Sequence, residues 1–130
     1  MTPTFDAIGL VVADVAASLA FYRKLGVDIP VEMDAAPHAE ANLGGVRLMW
    51  DTPDVIRSFD PQWSPATGGA RMALAFRCAT PDEVDDMYAV MVKDGHGGRV
   101  EPFDAPWGQR YAVLTDPDGN SVDLYAALPT

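Results

Sequence analysis

Ile8, Leu10 and Val12 recur at a constant offset as Leu74, Phe76 and Cys78; Asp14 recurs as Thr80, and Phe21-Tyr22 as Met87-Tyr88. A chain that writes one strand-then-helix pattern twice is held to two copies of one small unit, because each copy must bury the same apolar positions. Each copy opens on alternating apolar residues and then gives a helix start. Asp14 can cap the first helix, and Thr80-Pro81-Asp82-Glu83 supplies a capping hydroxyl, a proline at the first helical position and a capping-box glutamate. Val15, Leu19 and Tyr22 keep helical spacing in the first copy, as do Val84, Met87, Tyr88 and Met91 in the second, with Gly26 and Gly95 as stops. Short strands are expected near 31–33, 38–43 and 46–50, and again near 99–102, 109–115 and 121–126.

The expected fold is therefore α+β: two tandem βαβββ modules, about 4–51 and about 70–127, forming a curled mixed sheet around a central cavity with helices on the outer face. The connection over about 52–69 carries Pro53, Pro61, Pro65, Gly68 and Gly69, but also Val55, Ile56, Phe59 and Trp63. A link of that length with aromatic residues is seldom inert. It suits a lid over the cavity or a segment packed on a partner subunit.

The segment from Trp107 to Tyr125 holds a β-hairpin with its turn chemistry in place. Tyr111, Val113 and Thr115 alternate, Asp116-Pro117-Asp118-Gly119-Asn120 supplies the turn, and Val122 and Leu124 begin the return strand. Together with Leu10-Val11-Val12-Ala13-Asp14 leading into Ser18-Leu19-Ala20-Phe21-Tyr22, it resembles the vicinal oxygen chelate superfamily of glyoxalase I, extradiol dioxygenases and bleomycin resistance proteins. In the metal-using members, the resemblance implies four inward side chains of His, Gln or Glu type. They stand on the first and last strand of each half and bind one divalent ion that polarises two adjacent substrate oxygens. Carried over, those positions fall on Ala7, on Leu48 with Arg47 and Met49 as neighbours, on Ala73 or Arg71, and on Asp123. Only Asp123 carries a carboxylate, so no metal cofactor is expected; one divalent metal ion remains the alternative if the registers differ.

Other residues suit a pocket without a metal. Trp107, Tyr111, Tyr125, Trp50 and Trp63 are placed where the architecture would line one, and flat rings hold flat or cationic guests. Asp123 would act there as a buried acceptor or counter-charge. His38-Ala39-Glu40-Ala41-Asn42 sets three polar side chains on one strand face. They form either a polar wall of the cavity, with His38 and Glu40 as a proton-transfer pair, or the wet face of an edge strand. His96 lies in a glycine-rich turn, and Cys78 ends an apolar strand with no histidine near it in sequence.

A net charge of −10 with nine basic residues repels phosphate backbones and anionic lipid, which argues against nucleic-acid and membrane partners. One cysteine excludes an internal disulfide, and the start has no basic region followed by an apolar stretch, so a soluble cytoplasmic protein is expected. Two functions fit. The first is metal-free binding of a small molecule, such as an aromatic or cationic antibiotic, by sequestration in a homodimer of the bleomycin resistance type. The second is a glyoxalase-like lyase or isomerase, or a dioxygenase. An accessory module without a ligand is a third class.

Overall fold

A computed structural model describes residues 1–130, which divide into two compact units, Met1–Thr67 and Gly68–Thr130. No helix is long and apolar enough to cross a membrane.

In the first unit, strand β1 (Ala7–Val11) leads into helix α1 (Val15–Lys24). The Asp14 carboxylate accepts from the Ala17 amide at 3.1 Å and so satisfies one of the orphan N–H groups of the first turn. The strand expected near 31–33 is instead a 3-10 turn, Val31–Ala35. Arg23 explains the difference: its guanidinium donates to the carbonyls of Ile29 and Pro30, each at 2.8 Å, and pairs with Asp34 at 2.8 Å. These bonds hold the segment against α1 rather than in a ladder.

Strands β2 (His38–Leu43) and β3 (Val46–Asp51) then form a hairpin closed by Gly44 and Gly45, both at positive φ, and β1 pairs parallel to β3 for the order β1-β3-β2. Ala39, Ala41, Leu48 and Trp50 face α1 and form the core with Val15, Leu19, Phe21 and Tyr22; the Tyr22 and Trp50 rings meet edge to face at 5.7 Å. The connection is not structureless. Thr52 caps a short helix, α2 (Pro53–Arg57), and the Arg57 guanidinium lies 5.0 Å over the Trp63 ring.

The second unit repeats the plan with one strand more. Strand β4 (Ala73–Arg77) precedes helix α3 (Pro81–Lys93), where the Thr80 hydroxyl accepts from the Glu83 amide and the Glu83 carboxylate reaches back to the Ala79 amide. Such a cap contributes about 1 kcal/mol. Strands β5 (Gly97–Ala105), β6 (Gln109–Thr115) and β7 (Ser121–Ala127) complete a sheet of order β4-β7-β6-β5. Ala112, Leu114, Val122, Leu124 and Ala126 are buried on the α3 side with Val84 and Met91.

The open faces of the two sheets

The turn after β6 sets the geometry of the second unit. One Asp116 oxygen accepts from the amides of Asp118 (3.0 Å) and Asn120 (2.8 Å), the other accepts from the Asn120 side chain (2.9 Å), and Gly119 takes the positive φ. The resulting register pairs Tyr111 with Tyr125 and Val113 with Asp123. Since Ala112 and Leu124 point at α3, strand alternation sends Tyr111, Val113, Asp123 and Tyr125 to the opposite, open face.

Trp107, in the turn between β5 and β6, joins them from the side. Its ring lies 5.4 Å from Tyr111 and 6.2 Å from Phe103, while Tyr111 stacks on Tyr125 at 6.3 Å. The Trp107 indole N–H donates to the Gln109 amide oxygen at 2.9 Å, which fixes its orientation although the residue is 59% exposed. The Tyr111 hydroxyl donates to Asp123 Oδ2. Burial, and next that hydrogen bond to a carboxylate, push the Tyr111 phenol up to about 12, so it remains a neutral donor. Trp107, Tyr111, Asp123 and Tyr125 are thus neighbours in an accessible aromatic patch of the kind that receives a planar ligand.

Trp50 does not share that kind of surface, which corrects the expectation that it lines a pocket. It is fully buried between its sheet and α1, because alternation along β3 turns Leu48 and Trp50 inward.

On the open face of the first unit, His38 lies between two carboxylates: Nδ1 is 2.6 Å from Asp51 and Nε2 is 2.9 Å from Glu40. Both Glu40 oxygens also accept from Arg47, at 3.1 and 3.2 Å, and Arg47 reaches on to Asp6 at 2.5 Å. Glu40, then Asp51, raise the His38 pKa, and His38, then Arg47, lower that of Glu40. A neutral imidazole can donate from only one nitrogen, so two carboxylate partners call for the imidazolium. His38 and Glu40 on the edge strand β2 therefore belong to a five-residue charge chain that runs through Asp51 and Arg47 on β3 to Asp6.

The two ladders have equivalent registers: Ala7 opposes Arg47 and Gly9 opposes Met49, as Ala73 opposes Ser121 and Ala75 opposes Asp123. Met49, not Leu48, is therefore the counterpart of Asp123; Leu48 is a core residue, 2% exposed. Arg71 precedes β4 and is not a strand position. The metal positions implied by the resemblance hold Ala7, Met49, Ala73 and Asp123, a set with one oxygen donor where a labile divalent ion needs about three or more. No three His, Cys, Asp or Glu side chains anywhere are grouped to hold a metal. These residues do not fit the ion.

A family model described as the Glyoxalase/Bleomycin resistance protein/Dioxygenase superfamily matches residues 4–124. The chain belongs to this superfamily. Among solved superfamily structures, a glyoxalase/bleomycin resistance protein/dioxygenase family enzyme from Burkholderia phytofirmans PsJN matches with a TM-score of 0.84 at 20% identity, over 97% of this chain and 100% of that one. A glyoxalase/bleomycin resistance protein/dioxygenase from Nocardioides is 27% identical, with a TM-score of 0.76 over 98% and 85% of the two chains. A lactoylglutathione lyase from Agrobacterium tumefaciens has a TM-score of 0.68 at 21% identity over 97% and 95%, a likeness of fold alone. No curated protein matches.

Sequence reasoning missed Phe103 in the aromatic patch and Asp51, Arg47 and Asp6 in the charge chain. The signal for Asp51 was present. Counting outward from the Gly44-Gly45 turn pairs Leu43 with Val46 and arrives at His38 opposite Asp51. Phe103 carried no such signal, because two register irregularities in β5 break the alternation that would have placed it.

Proposed function

We propose that this superfamily member is a metal-independent binding protein that captures a small aromatic molecule stoichiometrically, as a homodimer, in the cytoplasm. The observation that carries the reading is the connected aromatic patch of Phe103, Trp107, Tyr111 and Tyr125 around Asp123, on the sheet face where the superfamily's other metal position holds Ala73. Each ring that stacks on a guest contributes about 0.5 to 1.5 kcal/mol beyond the gain from the apolar area that the guest buries. Asp123, already accepting from Tyr111, orients a donor on the guest. An aromatic antibiotic is one such guest.

The test is tryptophan fluorescence with a panel of aromatic antibiotics, followed by recovery of the compound after incubation. Capture predicts quenching lost in Trp107→Ala and compound returned unchanged in a one-to-one ratio with chain. Turnover, or undiminished quenching in Trp107→Ala, contradicts it.

A second reading rests on the His38 chain. With Asp51 on one nitrogen and Glu40 on the other, the imidazolium is a proton donor held in place, which suits a lyase or isomerase acting by proton transfer without a metal. Turnover abolished in His38→Gln would favour it.

A further inference from the structure

The arginines of the two units are used differently. In the first unit Arg23 and Arg47 are ion-paired and Arg57 lies over Trp63. In the second, Arg110 pairs with Asp85 and Asp104, but Arg71, Arg77 and Arg99 have no carboxylate, hydrogen-bond or ring partner. In a chain of net charge −10, unpaired arginines are not explained by a shortage of acids.

Two of them line one depression of about 390 Å³ on the β4-β7-β6-β5 sheet, together with Ala73, Val100, Val113 and Ser121. Arg99 arrives there through a bulge. Gly98 opposes Leu114 and Val100 opposes the next residue back, Val113, so Arg99 is the extra residue with no opposite partner. Gly98 faces α3, since a Cβ there would lie 2.4 Å from the Tyr88 hydroxyl. Regular alternation would return Val100 to α3; the bulge instead puts both Arg99 and Val100 beside Val113 on the open face. The neighbours are small or apolar, Ala73 and Val113 among them, and leave the guanidinium groups as the charged lining.

The depression adjoins the aromatic patch. Val113 and Ser121 line it; Tyr111 is the next residue after Val113 on the same face of β6, whereas on β7 Asp123 stands between Ser121 and Tyr125. The step from Val113 to Tyr111 spans roughly 7 Å, about the length of one ring with its substituent.

We infer that the captured molecule is an aromatic anion. Its ring lies against Tyr111, on which Trp107 packs, and its carboxylate or phosphate enters the depression, where Arg99 holds it and Arg71 adds a second positive charge. The inference rests on the aromatic patch being the binding surface and replaces a cationic guest with an anionic one. Planar guanidinium forks match carboxylate and phosphate oxygens in pairs, and two like charges lining one hollow are relieved when an anion enters.

The experiment is a titration of the full chain followed by backbone and indole NMR shifts, with benzoate, phenyl phosphate, benzylammonium and neutral benzyl alcohol as probes. Benzoate and phenyl phosphate are expected to bind on the order of ten-fold more tightly than benzyl alcohol at low salt, to shift Arg99, Val100 and Ser121 along with the Trp107 indole, and to lose the advantage as salt rises. The ratio between the two anions tells carboxylate from phosphate. In Arg71→Gln/Arg99→Gln, two exposed positions whose replacement leaves the core intact, the anions are expected to bind no more tightly than benzyl alcohol. Anions bound equally by that variant and by the wild type, or benzylammonium bound as tightly as benzoate, would overturn the inference. If benzyl alcohol moves Trp107 and Tyr111 but the anions gain nothing, the anionic guest is wrong and the aromatic surface stands. If no probe moves Trp107 or Tyr111, both fail.

Discussion

The Tyr111 hydroxyl donates to Oδ2 of Asp123 across two adjacent antiparallel strands, one step diagonal to the pair that their register makes. That bond joins the aromatic patch to the only carboxylate at the superfamily's metal positions, and it gives Asp123 an occupation other than metal binding. Spectrophotometric titration should show one tyrosine ionising near pH 12 that is absent in Tyr111→Phe. In Asp123→Asn the same phenol should titrate lower, yet still above its ordinary value of 10, because burial is the larger cause and remains. A phenol that titrates alike in the wild type and in Asp123→Asn would mean that the bond is not made.

The His38 chain gives stability a pH window. The folded pKa of His38 is raised, so its contribution is complete below the ordinary value of 6.5 and is lost as pH rises through the folded value. Glu40 is lowered, so its contribution is present above its ordinary 4.5 and is lost as pH falls through the folded value. The difference in Tm between wild type and His38→Gln should be largest between about pH 4.5 and 6.5 and should shrink toward pH 9. A difference that grows with pH would contradict the arrangement. The exposure of these groups keeps the effect to a modest shift.

Trp50 and Trp107 should behave oppositely. Trp50→Ala opens a cavity under α1 and is expected to cost about 3 to 5 kcal/mol in chemical denaturation, whereas Trp107→Ala, at a residue 59% exposed, should cost less than about 1. Aromatic probes should quench Trp107 and leave the buried, blue-shifted Trp50 emission unchanged. Quenching that survives in Trp107→Ala and disappears in Trp50→Phe would reverse the assignment.

Gly98 tests the packing that places the bulge. An added Cβ would meet the Tyr88 hydroxyl at 2.4 Å and Val92 Cγ2 at 2.8 Å, so Gly98→Ala must move α3 or β5 and is expected to cost about 1 to 3 kcal/mol. A neutral substitution there would mean that β5 sits further from the helix.

Much of this was legible in the residues. The two helix starts at Asp14 and Thr80, the hairpin of 109–115 with 121–126 and the repeated unit follow from capping, turn chemistry and alternation, and these are local rules that neighbouring residues suffice to state. Trp107, Tyr111, Asp123 and Tyr125 come together because that one hairpin and the turn before it carry all four. What failed depended on partners distant in sequence. Arg23 drew 29–34 out of strand geometry, and β3 turned Trp50 inward by a single step of register. The Arg99 bulge has no sequence mark beyond Gly97-Gly98, which reads equally well as a turn.

Native mass spectrometry of the untagged chain, purified without chelator, tests most directly whether this superfamily member works without a metal. Masses of the protein alone or with an organic molecule are expected, with no stoichiometric divalent ion after addition of zinc, manganese or iron(II). A one-to-one complex with any of these ions, lost in Asp123→Asn, would contradict it and put metal-dependent catalysis first.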